Sequence, residues 1–118
     1  MIIQGLSGTE MSEIPTTLPA QIMRHTAVDV VEKLKILANP DRLLILCHLS
    51  QGECCVSDLE EALDIRQPTL SQQLAVLRHD GVVQTRRSGK YIHYRVADAN
   101  LLQVLALLYT LYCPKDAS

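Results

Sequence analysis

Four cysteines are the residues of this sequence with the widest chemistry: Cys47, Cys54, Cys55 and Cys113. Thiolates bind zinc and softer metals, and they attack the sulfur atoms of disulfides and persulfides. A free cysteine that does neither is commonly a small buried hydrophobic residue, and this interpretation is open for Cys47, which follows a run of leucines. The chain has no Cys-x-x-Cys motif and no strand–helix redox pattern, which argues against a thiol oxidoreductase.

A second group of side chains has the chemistry of base recognition. Leu70, Leu74 and Leu77 repeat at helical spacing and define the buried side of a predicted helix. The start and the other sides of this helix carry uncharged polar residues, namely Gln67, Thr69, Ser71, Gln72 and Gln73. A glutamine amide can bond bidentately to adenine, and hydroxyl groups can donate or accept at base edges. A merely solvated helix surface is the alternative interpretation.

Positive charge is concentrated in one part of an acidic chain. Residues 64–95 contain six basic and two acidic residues, a net charge of +4, whereas the remainder has five basic and eleven acidic residues, a net charge of −6. Arg86, Arg87, Lys90 and Tyr91 surround Ser88-Gly89, which predicts a basic hairpin tip suited to phosphates or to a narrow minor groove. An ordinary solvated face would explain the charge alone equally well.

Hydrophobic spacing and helix-end signals predict the elements that position these groups. Helices are expected over residues 20–37, 40–49, about 57–63 with Ser57 as N-cap, and 68–80, followed by strands over 82–87 and 90–96 and a last helix from about residue 101 that Pro114 ends. In the second strand, Ile92, Tyr94 and Val96 should face inward, and Tyr91, His93 and Arg95 outward. This order predicts a mainly α winged helix-turn-helix with a β-hairpin wing.

Length and composition narrow the class of protein. The chain has 118 residues, of which 47% are hydrophobic, as expected for one domain. We expect residues 1–18 to form a disordered extension, residues 19–114 the domain and residues 115–118 a tail. A membrane span and a secretory signal are both missing from the pattern, so a cytoplasmic location with reduced thiols is predicted. No phosphate-binding glycine loop or catalytic Ser/His/Asp arrangement occurs, which predicts no enzymatic activity and no cofactor.

Three strings resemble the ArsR/SmtB family of dimeric winged-helix repressors over about residues 20–113: LKILANPDRLLILCHL, VSDLEEALDIRQPTLSQQLAVLRHDGVV and RRSGKYIHYRV. The resemblance implies a homodimer formed by the first and last helices, double-stranded operator DNA as partner, and an inducer that lowers DNA affinity. Arsenic sensors of the family carry an ELCVCDL-like motif; here Cys55 matches its first thiol, but Ser57 stands at the second. The family's zinc sensors use acidic and histidine ligands on the last helix, which here has Asp98 and no histidine.

Two further strings, RLLILC ending at Cys47 and LYC ending at Cys113, are similar to the family's persulfide sensors of the SqrR/BigR type. This resemblance implies that Cys47 and Cys113 are sensing thiols, which persulfides join through an intramolecular polysulfide bridge that relieves repression. Cys54 and Cys55 depart from the subgroup and are secondary thiols. An alternative is a repressor released by arsenic(III) or another soft metal through these two residues. A small helical adaptor is a further alternative, but it leaves the basic hairpin unexplained.

Overall fold

The computed structural model describes residues 19–113. Within them, helices and strands follow in the order α1 (Ala20–Leu37), α2 (Pro40–Leu49), β1 (Cys54–Cys55), α3 (Val56–Leu63), α4 (Gln67–His79), β2 (Val83–Ser88), β3 (Tyr91–Val96) and α5 (Ala99–Tyr112). The predicted winged helix-turn-helix is therefore confirmed. The predicted extension over residues 1–18, the tail over residues 115–118 and Pro114 lie outside the described residues. In the described range, no helix is long and apolar enough to cross a membrane.

The first two helices have the boundaries that the sequence predicts. Asn39 caps α2, because its side-chain oxygen accepts a hydrogen bond of 3.1 Å from the backbone N–H of Arg42, and Pro40 occupies the first turn. Within residues 19–113, the part up to Glu32 and the part from Lys33 onward form two compact units. In the first unit, every residue of α1 is exposed, apolar side chains included.

The hydrophobic core lies in the second unit and is almost entirely aliphatic. Its most deeply buried side chains are Ile45, Leu46, Leu59, Leu70, Leu74, Leu77, Val82 and Leu105. The leucine stripe predicted for α4 is thus confirmed. The leucine-rich helix α2 is not buried on all sides, since Leu44 is 48% exposed. This helix packs against α3, α4, β3 and α5, and these contacts leave Leu44 exposed.

The three strands form an antiparallel sheet in the order β1-β3-β2. Val83 pairs with Val96, and Ser88 pairs with Tyr91, so the hairpin turn consists of Gly89 and Lys90. The predicted turn at Ser88-Gly89 is wrong by one position, because Ser88 still belongs to the ladder. Gly89 has φ +63°, a left-handed value that this tight hairpin requires at its first turn position.

The two faces of β3 are less distinct than the alternation predicts. Val96 is buried and Tyr94 packs against the core, as expected, but Ile92 is 39% exposed because it lies near the hairpin tip. His93 was expected to point outward and is half-buried instead, since it pairs with Cys55 in β1. The side chains of the wing are therefore more exposed toward its tip, and at its base β3 pairs with β1.

The start of α3 also differs from the prediction. Cys55, not Ser57, is the N-cap residue, and it contributes no side-chain hydrogen bond to the cap. Pairing with β3 holds Cys55 in an extended conformation, so the helix begins directly after it at Val56. Ser57 is then inside the first turn, where its hydroxyl lies 3.2 Å from the sulfur of Cys55.

Candidate functional site

The start of α4 presents the predicted polar side chains to solvent. Gln67, Thr69, Ser71 and Gln72 are all exposed, while the leucine stripe fixes the opposite side of the helix in the core. Pro68 lies in the first turn, where its missing N–H costs no helical hydrogen bond. Four of the five predicted base-reading residues are thus free to meet a partner that approaches the helix from its exposed side.

Gln73 has a different environment from these four residues. It is half-buried, and its side-chain oxygen accepts a hydrogen bond of 3.3 Å from Nη1 of Arg42. Arg42 also donates from Nε to the carbonyl of Ile36 at 2.9 Å and from Nη2 to the carbonyl of Lys35 at 3.4 Å. The guanidinium therefore joins the end of α1, the start of α2 and the middle of α4, and Gln73 helps to hold α4 in place.

The predicted basic residues of the wing differ in whether they are paired with a carboxylate. Arg87, Lys90 and Tyr91 are exposed near the turn, and Nζ of Lys90 lies 5.5 Å from the centre of the Tyr91 ring. Arg86 instead donates from Nε and Nη2 to Oε1 of Glu53, at 2.8 Å each. The tip cations have no ion-pair partner within residues 19–113, whereas Arg86 already has a carboxylate.

Cys47 and Cys113 lie close enough for the charge of one to act on the other. Cys47 is half-buried in α2 and packs against the core, and Cys113 is the half-buried C-cap residue of α5. Burial raises the pKa of the Cys47 thiol above its ordinary value, and the nearby charge of Cys113 raises this pKa further. Two thiols that are distant in the sequence thus lie within electrostatic range of each other, and both are free.

Cys54 and Cys55 form a second pair at the base of the wing. Cys55 is buried beside Ser57, whereas Cys54 is half-buried, packs against the core and lies 3.8 Å from the carbonyl oxygen of Gly52. Burial raises the pKa of Cys54, and the charges of Asp58 and Cys55 raise it further. In the part of the chain that the structure describes, no three His, Cys, Asp or Glu side chains are placed to hold a metal ion.

Comparisons with known proteins identify the family. Residues 39–85 match the bacterial regulatory proteins of the arsR family. The chain is 50% identical to the biofilm growth-associated repressor of Agrobacterium fabrum over 107 residues, which cover 91% of this chain and 88% of the relative. The chain belongs to the ArsR family. It is therefore a DNA-binding transcriptional regulator and not an enzyme.

Solved structures of ArsR-family relatives have the same fold. The transcriptional repressor BigR from Xylella fastidiosa superposes with a TM-score of 0.73 at 44% identity, covering 83% of this chain and 100% of BigR. Reduced HlyU from Vibrio cholerae superposes with a TM-score of 0.75 at 38% identity, covering 80% of this chain and 99% of HlyU. The winged helix of this ArsR-family chain is thus shown by sequence and by structure.

Asp98 has a structural role in this ArsR-family chain. Its carboxylate accepts hydrogen bonds of 3.0 Å from the backbone N–H groups of Asn100 and Leu101 and pairs with Nζ of Lys33 at 3.0 Å. The bond from Leu101, and then the bond from Lys33, lower the pKa of Asp98. The residue is the N-cap of α5. An aspartate before a helical apolar pattern is the signal that would have predicted this cap.

Arg42 and Glu53 are two further residues whose contacts no pattern in the sequence predicts. Arg42 stands in the string that resembles the persulfide sensors, but its partners are carbonyl groups and Gln73, which no local pattern indicates. Glu53 precedes β1, a strand of two residues that is too short to produce an alternating signal. The contact between Glu53 and Arg86 depends on this strand and could not be predicted without it.

Proposed function

We propose that this protein is a transcriptional repressor that binds operator DNA as a homodimer and leaves it when persulfides join Cys47 and Cys113 through a sulfur bridge. The juxtaposition of these two thiols carries the proposal. Burial of Cys47 favours its protonated form at neutral pH, and the charge of Cys113 acts on it. The contact of α2, which carries Cys47, with α5, which Cys113 ends, supports a reaction between the two.

DNA recognition is assigned to α4 and the wing. Exposed polar residues at the start of α4 read base edges in the major groove, in the manner of helix-turn-helix recognition helices. This role is assigned to Gln67, Thr69, Ser71 and Gln72. Gln73 contributes to it while its side-chain oxygen is hydrogen-bonded to Arg42. At the wing tip, Arg87 and Lys90 bind phosphates, and Tyr91 supports Lys90 through its ring.

The homodimer is assigned to the exposed apolar sides of the terminal helices. Large apolar residues that α5 leaves exposed are Leu102, Val104, Leu107, Tyr109, Leu111 and Tyr112. A run of this kind along one helix exceeds the scattered apolar residues of an ordinary monomer surface and marks an interaction surface. In α1, Ile22, Met23, Val30 and Val31 are likewise 45–51% exposed. A second copy of the chain would cover exposed apolar residues of this kind and present two recognition helices to a two-fold symmetric operator.

The bridging reaction requires two low-molecular-weight persulfides and no other oxidant. The thiolate of Cys113 attacks the outer sulfur of the first persulfide and displaces its thiolate, which leaves a persulfide on Cys113. Cys47 is converted in the same way by a second donor. The terminal sulfur of one protein persulfide then attacks the inner sulfur of the other and expels hydrogen sulfide. The product is a trisulfide between the two residues, with one sulfur atom added and two hydrogen atoms lost.

The bridge would reach the DNA-binding surface through α2. Cys47 belongs to α2, which packs against both α4 and α5, and Arg42 of the same helix bonds to Gln73 of α4. Linking the end of α5 to α2 changes the position that α2 prefers, and hence the position of the recognition helix. A difference of about 1–3 kcal/mol in DNA-binding free energy between the two states corresponds to about 5–150-fold in affinity.

The test measures DNA affinity and intact protein mass after treatment with glutathione persulfide. We expect the wild type to gain sulfur, to become resistant to alkylation at Cys47 and Cys113, and to lose DNA affinity. Cys47→Ser and Cys113→Ser should keep DNA affinity under the same treatment, and Cys54→Ser should behave like the wild type. Persulfide release that persists in Cys113→Ser contradicts the proposal. Release by arsenite that requires Cys54 and Cys55, without release by persulfide, supports the soft-metal alternative instead.

A further inference from the structure

The wing contains an ion pair between Arg86 and Glu53. Oε1 of Glu53 accepts hydrogen bonds of 2.8 Å from both Nε and Nη2 of Arg86, and Oε2 lies 4.0 Å from Nε of Arg95. Arg95 also donates from Nη2 to the side-chain oxygen of Gln84 at 2.6 Å. One carboxylate is therefore shared by two of the arginines that make the wing basic.

Strand register explains why these side chains meet. Cys54 pairs with Tyr94, so Glu53 lies beside Arg95, the next position along β3. On the other side of β3, Gln84 pairs with Arg95, and Arg86 follows two residues later on the same face of β2. Glu53 thus reaches across the central strand to Arg86. The short strand β1 places an acidic residue on the basic face of the wing.

The pair lies where a DNA phosphate could compete for it. The side chains of Arg86 and Arg95 are 54% and 53% exposed, while that of Glu53 is 30% exposed. Both guanidinium groups are accessible to an approaching anion, and the geometry that Arg86 offers to the carboxylate is the geometry that it would offer to a phosphate. An exposed ion pair of this kind contributes little to stability, so its main consequence is electrostatic.

We propose that Glu53 competes internally with the phosphodiester backbone of DNA for Arg86 and thereby sets the strength and salt dependence of operator binding. The inference rests on the proposed role of the wing in DNA binding. In the wild type, the phosphate contacts of the wing come from Arg87 and Lys90, and Arg86 is occupied by Glu53. Removing the carboxylate charge releases Arg86 to bind one further phosphate.

The test is the salt dependence of operator affinity for Glu53→Gln, Arg86→Gln and the double variant. One additional phosphate contact makes the slope of log affinity against log salt steeper by about 0.9. Glu53→Gln should show this change and, for equal binding at 1 M salt, bind about eightfold more tightly near 0.1 M. Arg86→Gln should keep the wild-type slope, and the double variant should return to it. Glu61→Gln is the matched control, because it removes an exposed negative charge that has no basic partner within residues 19–113.

Several outcomes would overturn the proposal. An unchanged or shallower slope in Glu53→Gln would show that no competition exists, and a shallower slope in Arg86→Gln alone would show that Arg86 already binds phosphate. Lys90→Gln separates this failure from failure of the proposed function, since it should make the slope shallower by about 0.9 if the wing binds DNA. If neither Lys90→Gln nor Glu53→Gln changes the slope, the wing contact itself is refuted. Far-ultraviolet circular dichroism verifies that each variant is folded.

Discussion

Replacing Arg42 with methionine is expected to destabilise the domain and to loosen the recognition helix. The arginine is half-buried and donates to the carbonyl groups of Ile36 and Lys35 and to the side chain of Gln73. The two carbonyl groups belong to the last turn of α1, where few backbone oxygens have helical partners. That of Lys35 also accepts a hydrogen bond of 3.2 Å from the backbone N–H of Ala38. Methionine keeps most of the apolar stem and removes all three donors, so the variant isolates the hydrogen bonds.

The magnitude follows from the lengths of these bonds. A hydrogen bond to a charged group contributes about 1.5–3 kcal/mol. The bond to Ile36 is 2.9 Å and should fall in this range, whereas the bonds of 3.3 and 3.4 Å to Gln73 and Lys35 should add little. We therefore expect Arg42→Met to lower the free energy of unfolding by about 1.5–3 kcal/mol. At roughly 4 °C per kcal/mol, the midpoint of thermal unfolding falls by about 6–12 °C.

Urea unfolding followed by circular dichroism, at one fixed protein concentration, measures the effect. A fixed concentration is required because the proposed homodimer would gain apparent stability by mass action. Arg42→Lys keeps the charge without the planar set of donors, so it should recover only part of the lost free energy of unfolding. Gln73→Ala removes only the long bond to Arg42 and should lower the free energy of unfolding by less than about 1 kcal/mol. A free energy of unfolding for Arg42→Met within about 0.5 kcal/mol of the wild type, which is the range of ordinary surface substitutions, would refute this reasoning.

The remaining predictions concern a cap, a turn and a thiol. The bonds that lower the pKa of Asp98 in the folded state stabilise the protein above the unfolded-state pKa, and this stabilisation is lost as the pH falls through the folded-state value. Asp98→Ala should therefore lower the free energy of unfolding, measured with urea at neutral pH, by about 0.5–2 kcal/mol. If the difference between variant and wild type does not shrink in acid, the argument is contradicted. Gly89→Ala should lower the unfolding free energy by about 1–2 kcal/mol, because the Cβ has open space and only the left-handed backbone is strained; no loss would show that the turn is not fixed as described. In Cys113→Ser, the pKa of Cys47 should fall, because one of its two causes of elevation is removed. Iodoacetamide should then modify Cys47 faster at mildly alkaline pH than in the wild type, and an equal rate would show that the two thiols do not interact.

Short-range signals account for the parts of the fold that the sequence predicts well. The bounds of α1 and α2 follow from helical spacing and from Asn39-Pro40, a cap and a first-turn proline that act within one turn. The buried stripe of α4 follows from the spacing of its leucines. The turn of the wing is wrong by one residue, because Ser88-Gly89 and Gly89-Lys90 are equally plausible in sequence and only the pairing of Ser88 with Tyr91 decides between them.

Contacts between segments that are distant in the sequence cannot be predicted from these short-range signals. The strand β1 forms because β3 pairs with it. This pairing makes Cys55 the N-cap of α3 in place of the predicted Ser57. It also brings Glu53 to Arg86. The hydrogen bond between Gln73 and Arg42 is another such contact, because helical spacing does not reveal a guanidinium from another helix. Each of these features depends on which surfaces pack together.

By itself, the sequence determined the order of the elements, the faces of the recognition helix and the basic character of the wing, because spacing, capping and turn chemistry act over a few residues. Only the tertiary structure decided which charges of the wing are already paired and that Cys47 lies within electrostatic range of Cys113. The resemblance implied that thiol pair, but the neighbourhood itself arises from the packing of α5 against α2. Packing joins residues that are far apart in the chain, and no local pattern encodes such a contact.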